Sequence, residues 1–305
     1  MPPVRASGVG WLPVTEADPQ GLSPEDYATL CGFLRDRTGL SFTEAKRYFV
    51  DRRVATRMQA VGATDLRTYM NLLRFQASGE ELQRLVNLMT VNETYFFREK
   101  YQFDCLVNSV LDELVRGRPK GSQLRIWSAG CATGEEPYSI AIMLLENWSR
   151  VDDYEIELLA SDIDSTVLAR AREGIYDERA LQGLPAHLRA KYFQPLRRSP
   201  VEGGPRWQIV EDLRDSVDFS LVNLADPQQV RGFRSIDVIF CRNLLIYFDD
   251  LGRRETASMF HDALAPGGFV CLGHSESMSR MSSLFVPRRF PEAILYQKPV
   301  DGGAV

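Results

Sequence analysis

Near residue 120 the hydrophobic period of this chain changes, and that change narrows the possible folds more than any other feature. Before it, apolar residues recur at helical spacing. After it, short apolar runs alternate with helical segments: Leu124 to Ala129, Ile156 to Ala160, Val217 to Val222, Ile236 to Cys241, Gly268 to Leu272 and Ala293 to Gln297 all read as strands. Strands alternating with helices imply an α/β fold with a largely parallel sheet. At roughly 100–200 residues per domain, the chain has room for about two domains.

The helical half has clear punctuation. Ser23 suits an N-cap, Pro24 the first helical position, and Glu25 and Asp26 the positive helix end. Tyr27, Leu30, Cys31 and Leu34 follow on one face, and Gly39 is a natural stop. Further helices are expected over about 43 to 61, around Leu66 to Leu73, around Leu82 to Met89, and near 99 to 116. The run Arg116-Gly117-Arg118-Pro119-Lys120-Gly121-Ser122 is polar and rich in helix breakers, and marks the domain boundary. A stretch at about 190 to 216, with Pro195, Pro200, Gly203, Gly204 and Pro205, interrupts the alternation and suggests a small antiparallel β insertion. Residues 1 to 20 read as a disordered leader, and 299 to 305 as a tail.

Composition excludes several classes. Basic residues number 36 against 41 acidic, a net charge of −5, which argues against a nucleic-acid partner. No apolar run approaches the roughly 20 residues of a membrane span, and no secretory signal is visible at the N-terminus. Five cysteines without a C-x-x-C pair, beside three histidines, argue against a zinc site or a disulfide framework. A reducing cytoplasm fits best.

The first strand of the α/β part runs into Ser128-Ala129-Gly130-Cys131-Ala132-Thr133-Gly134-Glu135-Glu136-Pro137. Two glycines and small residues let a ligand approach the backbone. The turn lacks the lysine of a phosphate-binding loop and the spacing of a dinucleotide fingerprint. Glu135 and Glu136 would repel a pyrophosphate and suit a positively charged ligand, such as S-adenosylmethionine with its ammonium and sulfonium. Asp162, at the end of the second strand, is placed to hold ribose hydroxyls. Asn223 and Asn243 follow two further strands, where they serve either a ligand or a turn. Gly273-His274-Ser275-Glu276-Ser277 fails the G-x-S-x-G pattern at its last position, so a hydrolase is rejected.

Together these stretches resemble a known family. Asn92-Glu93-Thr94-Tyr95-Phe96-Phe97-Arg98, the glycine turn, Ala160-Ser161-Asp162-Ile163-Asp164, and Phe240-Cys241-Arg242-Asn243-Leu244-Leu245-Ile246-Tyr247-Phe248 are similar to the motifs of CheR-family chemotaxis receptor methyltransferases. The match spans about residues 22 to 298. The resemblance implies S-adenosylmethionine-dependent methylation of glutamate side chains on chemoreceptors. It implies a Rossmann-like methyltransferase domain over 121–298 with a small β subdomain inserted at 190–216. A helical receptor-recognition domain over 21–95 and a linker helix over 96–120 precede it. Cofactor contacts carry over to Asn92, Thr94, Arg98, Gly130, Glu135 and Asp162, and to Asn223, Leu224, Asn243 and Leu244. Tyr247 corresponds to a tyrosine beside the reacting methyl. Some members tether to a receptor peptide through a Gly-x-Gly loop; Gly203-Gly204-Pro205 shows no clear match to it.

An acceptor glutamate is already ionised near pH 7, with a pKa of about 4.3, so the reaction requires alignment rather than a catalytic base. Arg98 suits the clamping of a carboxylate, the cofactor's or the acceptor's. With Tyr247 it is expected to orient the reacting pair. Between Glu44 and Arg57 lie five basic and two acidic residues. Lys46, Arg53 and Arg57 form a stripe beside the apolar face Val50, Val54, Met58 and Val61. That stripe is expected to steer the acidic methylation helices of receptors. The chain is expected to be a monomer without metal, acting in the cytoplasm and recruited to membrane receptor arrays by protein contacts.

Overall fold

The computed structural model describes residues 21–196 and 204–300. The expected leader at 1–20, the insertion residues 197–203, which include Pro200 and Gly203, and the end of the tail at 301–305 lie outside the described residues. Four helices come first: α1 (Pro24–Thr38), α2 (Arg47–Val61), α3 (Leu66–Phe75) and α4 (Glu80–Met89). The first begins and ends as its residues dictate. Ser23 Oγ accepts the Asp26 N–H at 3.1 Å, and Gly39 closes the helix with φ 76°.

Next comes a helical run made of α5 (Lys100–Cys105), a π-helical turn (Leu106–Val110) and α6 (Leu111–Leu114). This run was expected to be a linker. Instead Phe103, Leu106, Val110 and Leu111 are fully buried and share a core with Ile126, Val238 and Phe269 of the sheet. It forms one covering layer of the α/β part.

The remaining elements alternate as expected: β1 (Gln123–Ala129), α7 (Glu135–Asn147), β2 (Glu155–Asp162), α8 (Ser165–Glu173), β3 (Ile175–Asp177), α9 (Ala186–Tyr192), β4 (Phe193–Pro195) and β5 (Arg206–Ile209). Then follow α10 (Glu211–Asp215), β6 (Val217–Leu221), α11 (Pro227–Val230), β7 (Ile236–Cys241), α12 (Asp250–Ala263), β8 (Leu264–Leu272), β9 (Val286–Arg289) and β10 (Ile294–Gln297). The main sheet has the order β6-β2-β1-β7-β8-β10-β9. Its strands β6, β2, β1, β7 and β8 run parallel, and β10 and β9 add an antiparallel edge. The expected β insertion is a separate three-stranded antiparallel sheet, β3-β5-β4. It starts at Ile175, earlier than expected.

The helical part does not stand apart. Leu30, Leu34, Val50, Tyr69 and Leu85 form one apolar cluster with Trp127 and Ile239 of the sheet and Phe260 of α12. Trp127 stacks on Phe233 at 4.1 Å and meets Phe260 edge-on. The Asn87 side chain in α4 bonds Ser165 Oγ, and Gln83 bonds the Ile163 carbonyl, both at 2.8 Å. The helices are thereby seated against the carboxyl end of the sheet. Among the described residues, no helix is long and apolar enough to cross a membrane.

Candidate active site

In the sheet order, β2 and β6 lie on one side of β1, and β7 and β8 on the other. The strand order therefore reverses between β1 and β7, and open α/β sheets take their ligands beyond the strand ends at such a point. A cleft opens there. Its floor comes from the strand ends, and its opposite wall from the chain around Thr38 to Phe42 and from residues 89 to 98.

Gly130 follows β1 with φ 84°, and a Cβ at this position would stand 2.9 Å from Leu244 Cδ2. Any other residue would push the Leu244 side chain aside, besides the roughly 1–2 kcal/mol of a left-handed backbone. Ala132 also has a positive φ, and its N–H donates to Asp162 Oδ2 at 2.9 Å. The Asp164 N–H donates to Asp162 Oδ1 at 2.9 Å. Burial dominates at Asp162 and pushes its carboxyl up to about 6, against those N–H groups, which pull it down.

Asn92 and Thr94 line the cleft from the junction segment. The Asn92 amide donates to Asp164 Oδ2 at 3.0 Å and to Thr90 Oγ1 at 3.1 Å. Asp164 in turn caps α8. Asn223, Leu224, Asn243 and Leu244 line the opposite side. The Asn223 side chain also serves a turn: its Nδ2 donates to the Arg37 carbonyl at 2.6 Å, and its Oδ1 accepts the Ala225 N–H at 3.0 Å. Asn243 adopts φ 58°, and its N–H donates to Glu276 Oε2 at 2.9 Å. The same oxygen takes the Gly273 N–H at 2.8 Å.

Arg98 and Tyr247 reach the same cleft. Both neighbours of Arg98 are strained, Phe97 at φ 59° and Glu99 at φ 54°. Burial raises the Tyr247 phenol, while the charge of Arg98 lowers it. The exposed His274 places Nδ1 2.8 Å from Glu99 Oε1. Burial is the largest influence on Glu99 and acts upward. His274, Arg242 and Tyr101 together outweigh it and leave the carboxyl below its ordinary value.

One expected cofactor contact does not join the cleft, and two residues of the expected receptor stripe have partners inside the chain. Glu135 does not line it; its side chain is buried and accepts Thr133 Oγ1 at 2.7 Å, and burial pushes the carboxyl up to about 7. The carboxylate facing the cleft is its neighbour Glu136, which accepts Ser128 Oγ at 2.7 Å and Arg242 Nη1 at 3.2 Å. Arg57 is spent on an internal ion pair with the buried Glu81, at 2.9 and 2.6 Å. The Arg53 guanidinium lies 3.4 Å from the Phe49 ring centroid and bonds the Leu88 carbonyl at 2.6 Å. Of the stripe, Lys46 alone is exposed and lines the cleft.

Arg242 is a site residue that sequence reasoning did not single out, and Glu136 was read with Glu135 as suiting a positively charged ligand but was not carried over as a cofactor contact. Both lay inside quoted motifs. The facing of Glu136 over Glu135 depends on how the Gly134 turn starts α7, which spacing does not show.

The segment that matches the family model "CheR methyltransferase, SAM binding domain" is residues 92–293, and residues 25–90 match "CheR methyltransferase, all-alpha domain". The chain is 46% identical over 281 residues to chemotaxis protein methyltransferase 2 of Vibrio cholerae, covering 92% of this chain and 95% of that one. It is 35% identical over 268 residues to the chemotaxis protein methyltransferase of Escherichia coli, covering 88% and 89%.

The chain belongs to the CheR methyltransferase family.

Both parts of the family are present. The S-adenosylmethionine-binding part supplies the strand-end residues of the cleft together with Asn92, Thr94 and Arg98. The all-alpha part supplies Lys46 and Thr90 on the facing wall.

Proposed function

We propose that this chain transfers a methyl group from S-adenosylmethionine to glutamate carboxylates of chemoreceptors, for sensory adaptation. One observation carries the reading: the strand-end residues Gly130, Asp162 and Asn243 open into one cleft with Arg98 and Tyr247. The donor set fits the cofactor. Asp162 is a buried carboxylate at the second strand end, suited to ribose hydroxyls. Glu136, which lines the cleft in place of the expected Glu135, would hold the ammonium. Leu224 and Leu244 offer apolar walls, and Asn92, Thr94, Asn223 and Asn243 complete the shell.

The cofactor supplies a methyl on a positively charged sulfur, which leaves as a neutral thioether and needs no proton from the protein. An acceptor glutamate is ionised near pH 7, at a pKa of about 4.3, so no residue has to take its proton. The chain contributes alignment, which is worth roughly 7–11 kcal/mol when well made. Arg98 clamps a carboxylate and Tyr247 bounds the reacting space. Lys46 attracts the acidic acceptor segment. The enzyme works as a monomer in the cytoplasm and reaches membrane receptor arrays through protein contacts.

The test is methyl transfer from labelled S-adenosylmethionine to a purified chemoreceptor cytoplasmic fragment. Base-labile label on glutamate is expected. Tight binding of S-adenosylhomocysteine without any such label would overturn the acceptor.

A further inference from the structure

We propose that Arg242 is a positioning residue that acts through Arg98. Its side chain is 3% exposed, and it holds three groups from two other parts of the chain. Nη1 donates to Glu136 Oε2 at 3.2 Å, Nη2 donates to the backbone carbonyl of Arg98, and Glu99 Oε2 lies 3.6 Å away. The guanidinium sits 5.1 Å from the Phe103 ring centroid.

The segment so held is strained. Phe97 and Glu99 both adopt left-handed backbone, and Arg98 lies between them. Such a conformation costs about 1–3 kcal/mol per residue and persists only where the surroundings over-determine it. The surroundings here are the Phe97 N–H on Ser139 Oγ at 3.0 Å, the Arg98 side chain on the Glu93 carbonyl at 2.5 Å, and Arg242 on the Arg98 carbonyl. Arg242 follows β7, Ser139 and Glu136 belong to α7, and Arg98 comes from the junction. One guanidinium therefore ties the direction of Arg98 to the sheet.

Arg242 also lines the cleft, so the tie is made at the wall of the site itself. The proposal rests on the role of Arg98 given above, and the test separates the two.

The experiment is a double-mutant cycle on the full chain, with a chemoreceptor fragment and labelled S-adenosylmethionine. Arg242→Lys keeps a charge opposite Glu136 but cannot fork to the Arg98 carbonyl at the same time. A misplacement near 1 Å can cost about 100-fold in rate, so kcat of Arg242→Lys should fall toward that factor, with the receptor KM changed far less. In an Arg98→Lys background, which lowers kcat by itself, the same substitution should cost under about 3-fold, because its effect runs through Arg98. Equal losses in both backgrounds, or a wild-type kcat in Arg242→Lys, would overturn the proposal. Arg98→Lys with wild-type turnover would instead overturn the role of Arg98. Thermal melts of each variant distinguish misfolding: a loss of kcat that tracks the folded fraction counts against the proposal.

Discussion

Arg57→Ala separates two accounts of the basic stripe. If Arg57 meets the receptor, its removal should raise the receptor KM and spare stability. The structure gives the opposite expectation. Arg57 Nε and Nη2 donate to Glu81 at 2.9 and 2.6 Å, and the side chains are 15% and 3% exposed. Tyr69 adds one hydrogen bond to Glu81 Oε1 at 2.8 Å. Deleting the arginine leaves Glu81 buried with the tyrosine alone. Breaking a buried pair from one side costs about 3–5 kcal/mol. Each kcal/mol lowers the melting temperature of a chain near this size by about 2–4 °C, so a drop of roughly 6–20 °C is expected. Urea denaturation followed by circular dichroism gives the free energy, and receptor titration gives KM. Arg57→Met combined with Glu81→Gln should recover most of the loss, since the buried charge goes with its partner. A stability loss under about 1 kcal/mol with a several-fold rise in receptor KM would refute the reasoning and return Arg57 to the docking surface.

Asp162→Asn should weaken S-adenosylhomocysteine binding yet stabilise the fold at alkaline pH. The folded carboxyl lies near 6 against an ordinary 3.8, so its burial costs the fold about 3 kcal/mol above pH 6 and nothing below 3.8. Wild-type affinity should fall as the pH drops through about 6, and the variant should lose this dependence; calorimetry at several pH values checks both, and an unchanged affinity in the variant would remove Asp162 from the site. Gly130→Ala should lower cofactor affinity at least 10-fold by pushing Leu244 aside, with a stability loss of about 1–2 kcal/mol from the left-handed backbone; an equilibrium binding titration reads the first, and wild-type affinity would refute the close approach. Lys46→Glu should raise the receptor KM at low salt and much less at high salt, because exposed charges are screened; steady-state kinetics at two ionic strengths decide it, and a salt-independent KM would count against steering.

Much of the fold was legible because the signals were local. Ser23, Pro24 and Gly39 mark the ends of α1 without help from distant residues. The alternation of Leu124 to Ala129, Ile156 to Ala160 and Ile236 to Cys241 with helices foretold the parallel sheet. Elements with weak local signals were missed. β3 spans Ile175–Asp177 and has too few residues for a period. β9 carries Pro287 on the sheet edge, where proline reads as a break rather than a strand. The helical run from Lys100 to Leu114 looked like a linker because its buried partners belong to other segments, Ile126 in β1, Val238 in β7 and Phe269 in β8.

The same division holds for the cleft. By itself the sequence determined the chemistry on offer: a glycine turn, acidic and amide residues at strand ends, an arginine and a tyrosine in recognisable blocks, and no base that the reaction would need. Tertiary structure alone decided which of these groups share one space. Glu136 faces the cleft and Glu135 does not, because the turn at Gly134 sets the rotation of α7. Arg57 is withdrawn from the surface because α4 brings Glu81 against it. Arg242 acquires its contacts because β7 ends beside a junction 144 residues earlier in the chain. Local propensity sets how each segment folds, but a side chain's partners follow from packing between segments far apart in sequence. That packing turned a stripe of three basic residues into one exposed lysine, a guanidinium stacked on Phe49 and a buried ion pair.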